Sequence, residues 1–255
     1  MRTLIRVAVA IALTATAVTT AMAPATAASP YKVTVTIAQS AITLGQSASL
    51  SGRVTGGAVK GKTVALYTRS ASLDEPWQKI GTAKLSSTGR YKKSYKPTDG
   101  GPRLFRVIKS AGSGHGKGVA YSGSLDVFQW KSLQSYKDVA TFGDTSINGS
   151  LHRGALLVTE GSPASFTTST GECTRFSGTI GVDVSSAAEH GSVTLSDAFL
   201  AFFATYTVGR LTDGRSVTIS LDTTKDLSFL ADFPGSDTTS EIAIVGARVY
   251  CNSPL

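Results

Sequence analysis

Lys32-Val33-Thr34-Val35-Thr36-Ile37 sets apolar Val33, Val35 and Ile37 against polar Lys32, Thr34 and Thr36 in strict alternation. Successive side chains of a strand point to opposite faces, so this period of two describes an extended segment with one side in a core and the other in water. The same signature resumes after Leu44-Gly45 with Ala48, Leu50 and Val54 and ends at Gly56-Gly57. It returns at 63–67, 77–85, 90–95, 104–109 and 119–128. Turn-forming residues separate these runs: Gly61, Asp74-Glu75-Pro76, Ser86-Ser87-Thr88-Gly89, the segment from Pro97 to Pro102, and a loop from Gly112 to Gly118. About seven short strands in about 100 residues predict a two-sheet sandwich.

Beyond the first 27 residues no stretch carries apolar residues at i, i+3, i+4 and i+7, so helix content is expected to be low. Only Asp183 to His190 leaves a choice between a short helical turn and a loop. In the second half, aromatic residues gather at Phe199, Phe202, Phe203 and Tyr206. Strand parity puts Phe199 and Phe203 on one face and Phe202 and Tyr206 on the other. A central strand buried on both faces accounts for that pattern, and a face that stacks a sugar ring or packs on the first half is the functional alternative.

Residues 1–27 read as a secretory signal peptide. Arg2 and Arg6 precede an apolar run from Val7 to Leu13, and Ala25-Thr26-Ala27 supplies the small residues of a cleavage site. Thr14, Thr16, Thr19 and Thr20 interrupt the run too early for a membrane span, which needs about 20 apolar residues. A secreted or cell-wall-associated protein with no membrane span is therefore expected. Cys173 and Cys251 are its two cysteines. An oxidising compartment permits them to pair, and neither has a neighbouring His or Cys at ligand spacing, so a disulfide is preferred over a metal site or a nucleophile.

Charge divides the chain as well. Residues 31–129 hold 15 Lys and Arg against 4 Asp and Glu, a net +11, whereas 130–255 hold 8 against 13, a net −5. Such asymmetry points the first half toward an anionic partner, with plain solubility as the bland alternative. Arg90, Lys92 and Lys96 share one face of their strand while Tyr91 and Tyr95 share the other and read as core. A charged face without interleaved rings does not suit single-stranded nucleic acid, and export puts cytoplasmic nucleic acid out of reach. An anionic cell-wall polymer is the better match.

Two resemblances sharpen the domain organisation. Residues 31–129 resemble the immunoglobulin-like or fibronectin-like modules of secreted bacterial proteins, through Ser51-Gly52-Arg53-Val54, the run Lys62 to Tyr67, Trp77, Thr88-Gly89-Arg90-Tyr91 and Arg103-Leu104-Phe105-Arg106-Val107. The cysteine pair of antibody domains is missing, so Trp77 has no disulfide to pack on. Residues 130–255 resemble the NPCBM family of carbohydrate-binding modules, a galactose-binding-like jelly roll. The resemblance lies in Trp130-Lys131-Ser132-Leu133, Ser146-Ile147-Asn148-Gly149, Phe176 to Asp183, Gly191 to Leu195, Val217 to Asp222 running into Leu227 to Ala231, and a closing strand from Ile242 to Tyr250. Two departures stand out: His152-Arg153-Gly154-Ala155 replaces a Gly-rich turn followed by His, and the Asp-Gly turn comes late, at Asp213-Gly214. The resemblances imply an all-β chain, an immunoglobulin-like β-sandwich followed by a jelly-roll β-sandwich, joined near Gln129, with carbohydrate as the ligand of the second.

For chemistry the chain offers three histidines, His115, His152 and His190, all in polar or Gly-flanked surroundings and none in a G-x-S-x-G elbow. Nothing marks two of the second half's acids as a glycosidase pair. A non-catalytic binding protein is expected, with a structural or protein-interaction role as the alternative and an extracellular enzyme third. No cofactor is called for. Calcium alone stays open, at Asp183 with Glu189 or at Asp232 with Asp237 and Glu241, with plain solvated loop acids as the preferred alternative. Turn position and side-chain chemistry nominate Asn148, His152, Arg153, Asp183, His190 and Asp213 for ligand contact, together with Tyr206 as a stacking ring.

Overall fold

The computed structural model describes residues 28–72, 74–135, 140–167, 172–196, 202–224, 226–235 and 240–252. The expected signal peptide of residues 1–27, Phe199 and Asp237 lie outside them. Among the described residues there is no α-helix, only a 3-10 turn at 133–135, and the 183–189 segment is a loop that ends where His190 opens a strand. No helix here is long and apolar enough to cross a membrane.

The first half contributes β1 (Lys32–Val33), β2 (Thr36–Ile37), β3 (Ala41–Thr43), β4 (Ala48–Thr55), β5 (Thr63–Ser70), β6 (Gln78–Lys84), β7 (Arg90–Tyr95), β8 (Gly101–Lys109), β9 (Gly118–Tyr121) and β10 (Leu125–Ser132). One sheet is built on β4, which pairs with β1, β2 and β7. The facing sheet runs β6-β5-β8-β10, with β9 on β8 and β3 parallel to β10. Leu50, Leu66, Phe105, Val107, Leu125 and Val127 are fully buried between them, and Val33, Val35 and Ile37 pack against that core as their alternation predicts. Burying each such side chain is worth roughly 1.5–3 kcal/mol.

The second half contributes β11 (Thr141–Ile147), β12 (Ser150–Thr159), β13 (Ala164–Thr167), β14 (Cys173–Val182), β15 (His190–Ser196), β16 (Phe202–Gly209), β17 (Arg215–Thr224), β18 (Asp226–Asp232) and β19 (Glu241–Cys251). Strands β13-β18-β15-β16 form one sheet. The other contains β11, β12, β19, β14 and β17, with β19 paired along β14 on one side and with β12 and then β10 on the other. Phe176, Phe229 and Phe166 meet edge-on in the core, beside buried Val193, Leu195, Ile242 and Ile244. The expected disulfide is present: Cys173 and Cys251 sit opposite each other on β14 and β19.

The all-β class is thus what the periodicity predicts, and the elements differ in three places. The run expected as one strand over 119–128 is two, β9 and β10, separated by Ser122-Gly123-Ser124. The expected turn ending at Pro102 is shorter, because β8 already begins at Gly101. The aromatic strand β16 is not central: among the described residues it pairs only with β15, at the edge of its sheet, and Phe202 is 65% exposed. A register shift opposite Leu195 and Ser196 turns Phe203 toward the same core that Tyr206 meets, so simple parity fails there.

Strand β10 joins the two halves without a linker. Its Leu125 and Val127 belong to the first core, and the next residues of the same parity, Gln129 and Lys131, are also buried and lead to Leu133 in the second. Asp126, Phe128, Trp130 and Ser132 therefore point to the opposite, outward face along the whole strand.

Candidate functional site

Four of the seven nominated residues come together at one end of the second sandwich. Asn148-Gly149 is the two-residue turn between β11 and β12. Both residues have positive φ, 46° and 77°, as a type I′ hairpin turn requires. The Asn148 amide donates to Asp213 Oδ1 at 2.8 Å, which ties this turn to the loop before β17. Asp183, at the end of β14, is buried and accepts from Thr145 Oγ1 at 2.5 Å, Ser146 N at 2.9 Å, Ser185 N at 2.7 Å and the Ser185 hydroxyl. Burial alone would raise its pKa, but hydrogen bonds from Ser185, Thr145 and Ser146 outweigh it and hold the carboxyl down at about 2. His190 opens β15 opposite Gly209, and Arg210 fastens the adjoining loop by donating to the Ser186 carbonyl at 3.0 Å.

This end is consequently occupied with its own turns. The hydrogen-bonding capacity of Asp183 is spent on Thr145 and Ser146 of β11 and on Ser185 of the loop that follows it, rather than directed outward to a ligand. Among the described residues no three His, Cys, Asp or Glu side chains converge as a metal set. His152 and Arg153 lie on β12 before the bulge at Gly154 (φ 64°), away from the 148–213 contact, and Tyr206 lies under the Arg215 guanidinium, 5.0 Å from its carbon. His115 is accounted for in the first half, where its ring lies 5.0 Å from that of Tyr31 and its Nδ1 is 3.1 Å from the Ser29 carbonyl oxygen.

A more open arrangement occupies the outward face of β10, β19, β14 and β17, where no nominated residue lies. A groove of about 540 Å³ is lined by Ser177, Thr179, Ser216, Thr218 and Arg248 around Gly246. It exists because Gly246, at φ 62°, makes a bulge in β19 where a side chain would otherwise stand in open space, whereas the neighbouring Gly178 faces the core. The hydroxyls face each other in cross-strand pairs, Thr218 to Ser177 at 3.2 Å and Thr179 to Ser216 at 3.1 Å. Each pair keeps a donor and lone pairs for a ligand.

Beside the groove, Trp130 stands 36% exposed with the Arg248 guanidinium 4.8 Å and the Arg175 guanidinium 5.7 Å from its ring. Arg175 also covers Tyr250 at 4.3 Å. Tyr250 itself is buried, stacked on Phe128 with centroids 5.3 Å apart, and its hydroxyl meets Thr43 Oγ1 at 2.5 Å across the two halves. The register Trp130↔Tyr250↔Arg175↔Ser220 makes this row continuous over four strands. Sequence reasoning missed the row because it depends on pairing residues about 120 positions apart; the visible signal was an outward Trp in a strand whose alternate residues are buried.

The first half has a groove of its own. About 620 Å³ opens beside Ser51, Lys84, Ser86, Arg90, Tyr91 and Lys92. Arg90 and Lys92 are exposed and Tyr91 is buried, as strand parity predicts. Arg103 does not join them: it is buried and paired with Asp99.

No family model matches the chain, and no curated protein matches it. Among solved structures it is similar to the CBM51-2 and INT domains of Clostridium perfringens ZmpB, at 8% identity over 61% of this chain and 38% of that one, TM-score 0.40. It is likewise similar to the CBM51-2 and INT domains of the same protein in complex with GlcNAc, at 10% identity over 72% of this chain and 48% of that one, TM-score 0.39. A third is the CBM51 of C. perfringens GH95 in complex with methyl-galactose, at 10% identity over 48% of this chain and 99% of that one, TM-score 0.38. The chain therefore spans less than half the length of the first two. Similarity of this size carries no statement about a ligand.

Proposed function

We propose that the chain is a secreted, non-catalytic binding protein whose second sandwich takes carbohydrate on the outward face of β10, β19, β14 and β17. The observation that carries this reading is the Trp130 ring, one-third exposed, beside a groove lined by four hydroxyls and Arg248. Sugar rings present an apolar face and a rim of hydroxyls, so a partly exposed indole next to paired Ser and Thr side chains supplies both kinds of contact. The leader-like sequence of residues 1–27 and the Cys173–Cys251 disulfide suit an oxidising extracellular setting. The first sandwich acts as a rigid carrier, its net +11 holding the molecule near an anionic cell-wall surface through the Arg90 and Lys92 groove.

The reading is tested by probing a glycan array with the full chain and with Trp130→Ala. Binding to at least one glycan is expected, weakened tenfold or more by the substitution, which corresponds to about 1.4 kcal/mol. Silence across the array, or binding indifferent to Trp130, would refute it. A structural role fits the Phe128 and Tyr250 stack instead, since Tyr250 is buried at the junction of the halves.

A further inference from the structure

The protein has two tryptophans, and each is flanked by two guanidiniums on the same face of one continuous sheet. On the first half, Trp77 lies 4.7 Å from the Arg106 guanidinium and 5.0 Å from that of Arg69, while Arg106 also covers Tyr67 at 5.1 Å. The register Lys79↔Tyr67↔Arg106↔Tyr121 makes a row across β6, β5, β8 and β9, ending at Tyr121, which is 65% exposed. This row belongs to the outward side, because its β8 neighbours Phe105 and Val107 point into the core. Asp126 and Pro102 face each other across β10 and β8 with that same outward parity, so the Trp77 and Trp130 clusters share one side of the sheet.

From these observations we infer that this face is a two-point binding surface for one linear, carboxylate-bearing polysaccharide, a deeper version of the carbohydrate reading on which it rests. Among the described residues no carboxylate engages Arg69, Arg106, Arg175 or Arg248, and exposed Lys79 adds to the charge. Asp126, between the clusters, is the acid of β10 on that side. Guanidiniums packed over rings are pre-organised, and their planar forks match carboxylates. The Nε atoms of Arg69 and Arg106 are buried without a partner, which leaves the terminal nitrogens as the reachable donors. Hydroxyl pairs near the second cluster suit sugar rather than a bare polyanion. Counting residues and strands along the register puts the two tryptophans on the order of 25 Å apart. A compact ligand reaches one cluster, whereas an extended chain reaches both and gains by effective concentration.

The test is isothermal titration of the full chain with polygalacturonate, its trimer, neutral galactan and poly(glycerol phosphate), at fixed ionic strength. Polygalacturonate is expected to bind at least about 100-fold tighter than the trimer. The double variants R69A/R106A and R175A/R248A are each expected to bring it down to near the trimer's affinity. Should an alanine pair fail to fold by thermal melting, R69K/R106K and R175K/R248K keep the charge and lose the fork, with about a tenfold loss expected. Galactan binding as tightly as polygalacturonate overturns this inference and leaves carbohydrate binding standing. So does an R69A/R106A protein with undiminished affinity, which would mean a single contact point. Tighter binding of poly(glycerol phosphate) overturns the carboxylate assignment, and failure to bind either sugar polymer overturns this inference, while the carbohydrate reading stands or falls with the glycan array.

Discussion

At Gly52 a Cβ would stand 2.0 Å from the Thr34 carbonyl oxygen and 2.5 Å from the Tyr91 hydroxyl, which donates to that carbonyl at 2.6 Å. The glycine lets a core tyrosine reach across β4 to the edge segment, and it explains why the alternation at 32–37 is realised as two short pieces. β1 and β2 pair with β4 in one register, Lys32↔Thr55 and Thr36↔Ser51; between them Thr34 N still donates to the Arg53 carbonyl at 2.9 Å, but the Thr34 carbonyl goes to Tyr91 and Arg53 N donates to Thr34 Oγ1 at 3.0 Å instead. Gly52→Ala is expected to cost about 2–3 kcal/mol because backbone must move, and Tyr91→Phe about 1 kcal/mol, both read from urea denaturation. Neither dependence was legible in the sequence, where Tyr91 shows only as an inward residue. Asp183 is a second case, a residue nominated for a ligand that serves a turn. Its folded pKa of about 2 lies below the ordinary 3.8, so its contribution of about 2 kcal/mol is complete above pH 4 and vanishes as pH falls through 2. The stability gap between wild type and Asp183→Asn, followed from pH 5 to 2, is expected to close over that window; a constant gap would mean the hydrogen bonds do not discriminate charge.

Among the elements, those with long apolar runs were predictable even where, as in β19, a bulge interrupts the pairing, and those whose parity a bulge resets were not. β14 and β19 read directly from their apolar residues, but β12 did not. Gly154 shifts its parity by a bulge, after which Ala155 and Leu157 face one small cluster and Leu156 and Val158 face the main core. The edge position of β16 was hidden for a similar reason, since the shift opposite Leu195 and Ser196 rearranges its aromatic residues. The β14 and β19 pair is also where the disulfide acts. Cys173 and Cys251 close a separation of 78 residues, and beside them Glu172 N donates to Asn252 Oδ1 at 2.7 Å. Cross-linking a loop of that length is worth up to about 4 kcal/mol through the unfolded chain. Replacing both cysteines by alanine is expected to lower unfolding free energy by roughly 3–4 kcal/mol, with the midpoint in guanidinium falling while the strand signal in circular dichroism persists at low denaturant.

For the whole molecule, the consequence of β10 is mechanical. The sequence located the change of charge and style near Gln129 and suggested a joint there, yet that residue is buried in the middle of a strand, opposite Cys251 of β19 and two places from Val127 of the first core. Composition shifts report where the cores change; they do not report whether the backbone between them is a linker or a shared strand. Unfolding either half strips β10 of partners on which the other half depends, so the full chain is expected to melt as one calorimetric transition. Lys131 is buried, and burial pushes its pKa down, so trypsin should not reach the bond that follows it while both halves are folded. Gln129→Pro removes a ladder donor from the centre of the sheet and should cost about 3 kcal/mol or more. The expected outcome is two separated transitions and early cleavage after Lys131 in the proline variant alone. Two transitions in the wild type would mean that the strand is continuous in geometry but not in cooperativity, and the shared face would then lose the rigidity that two-point binding of a polymer requires.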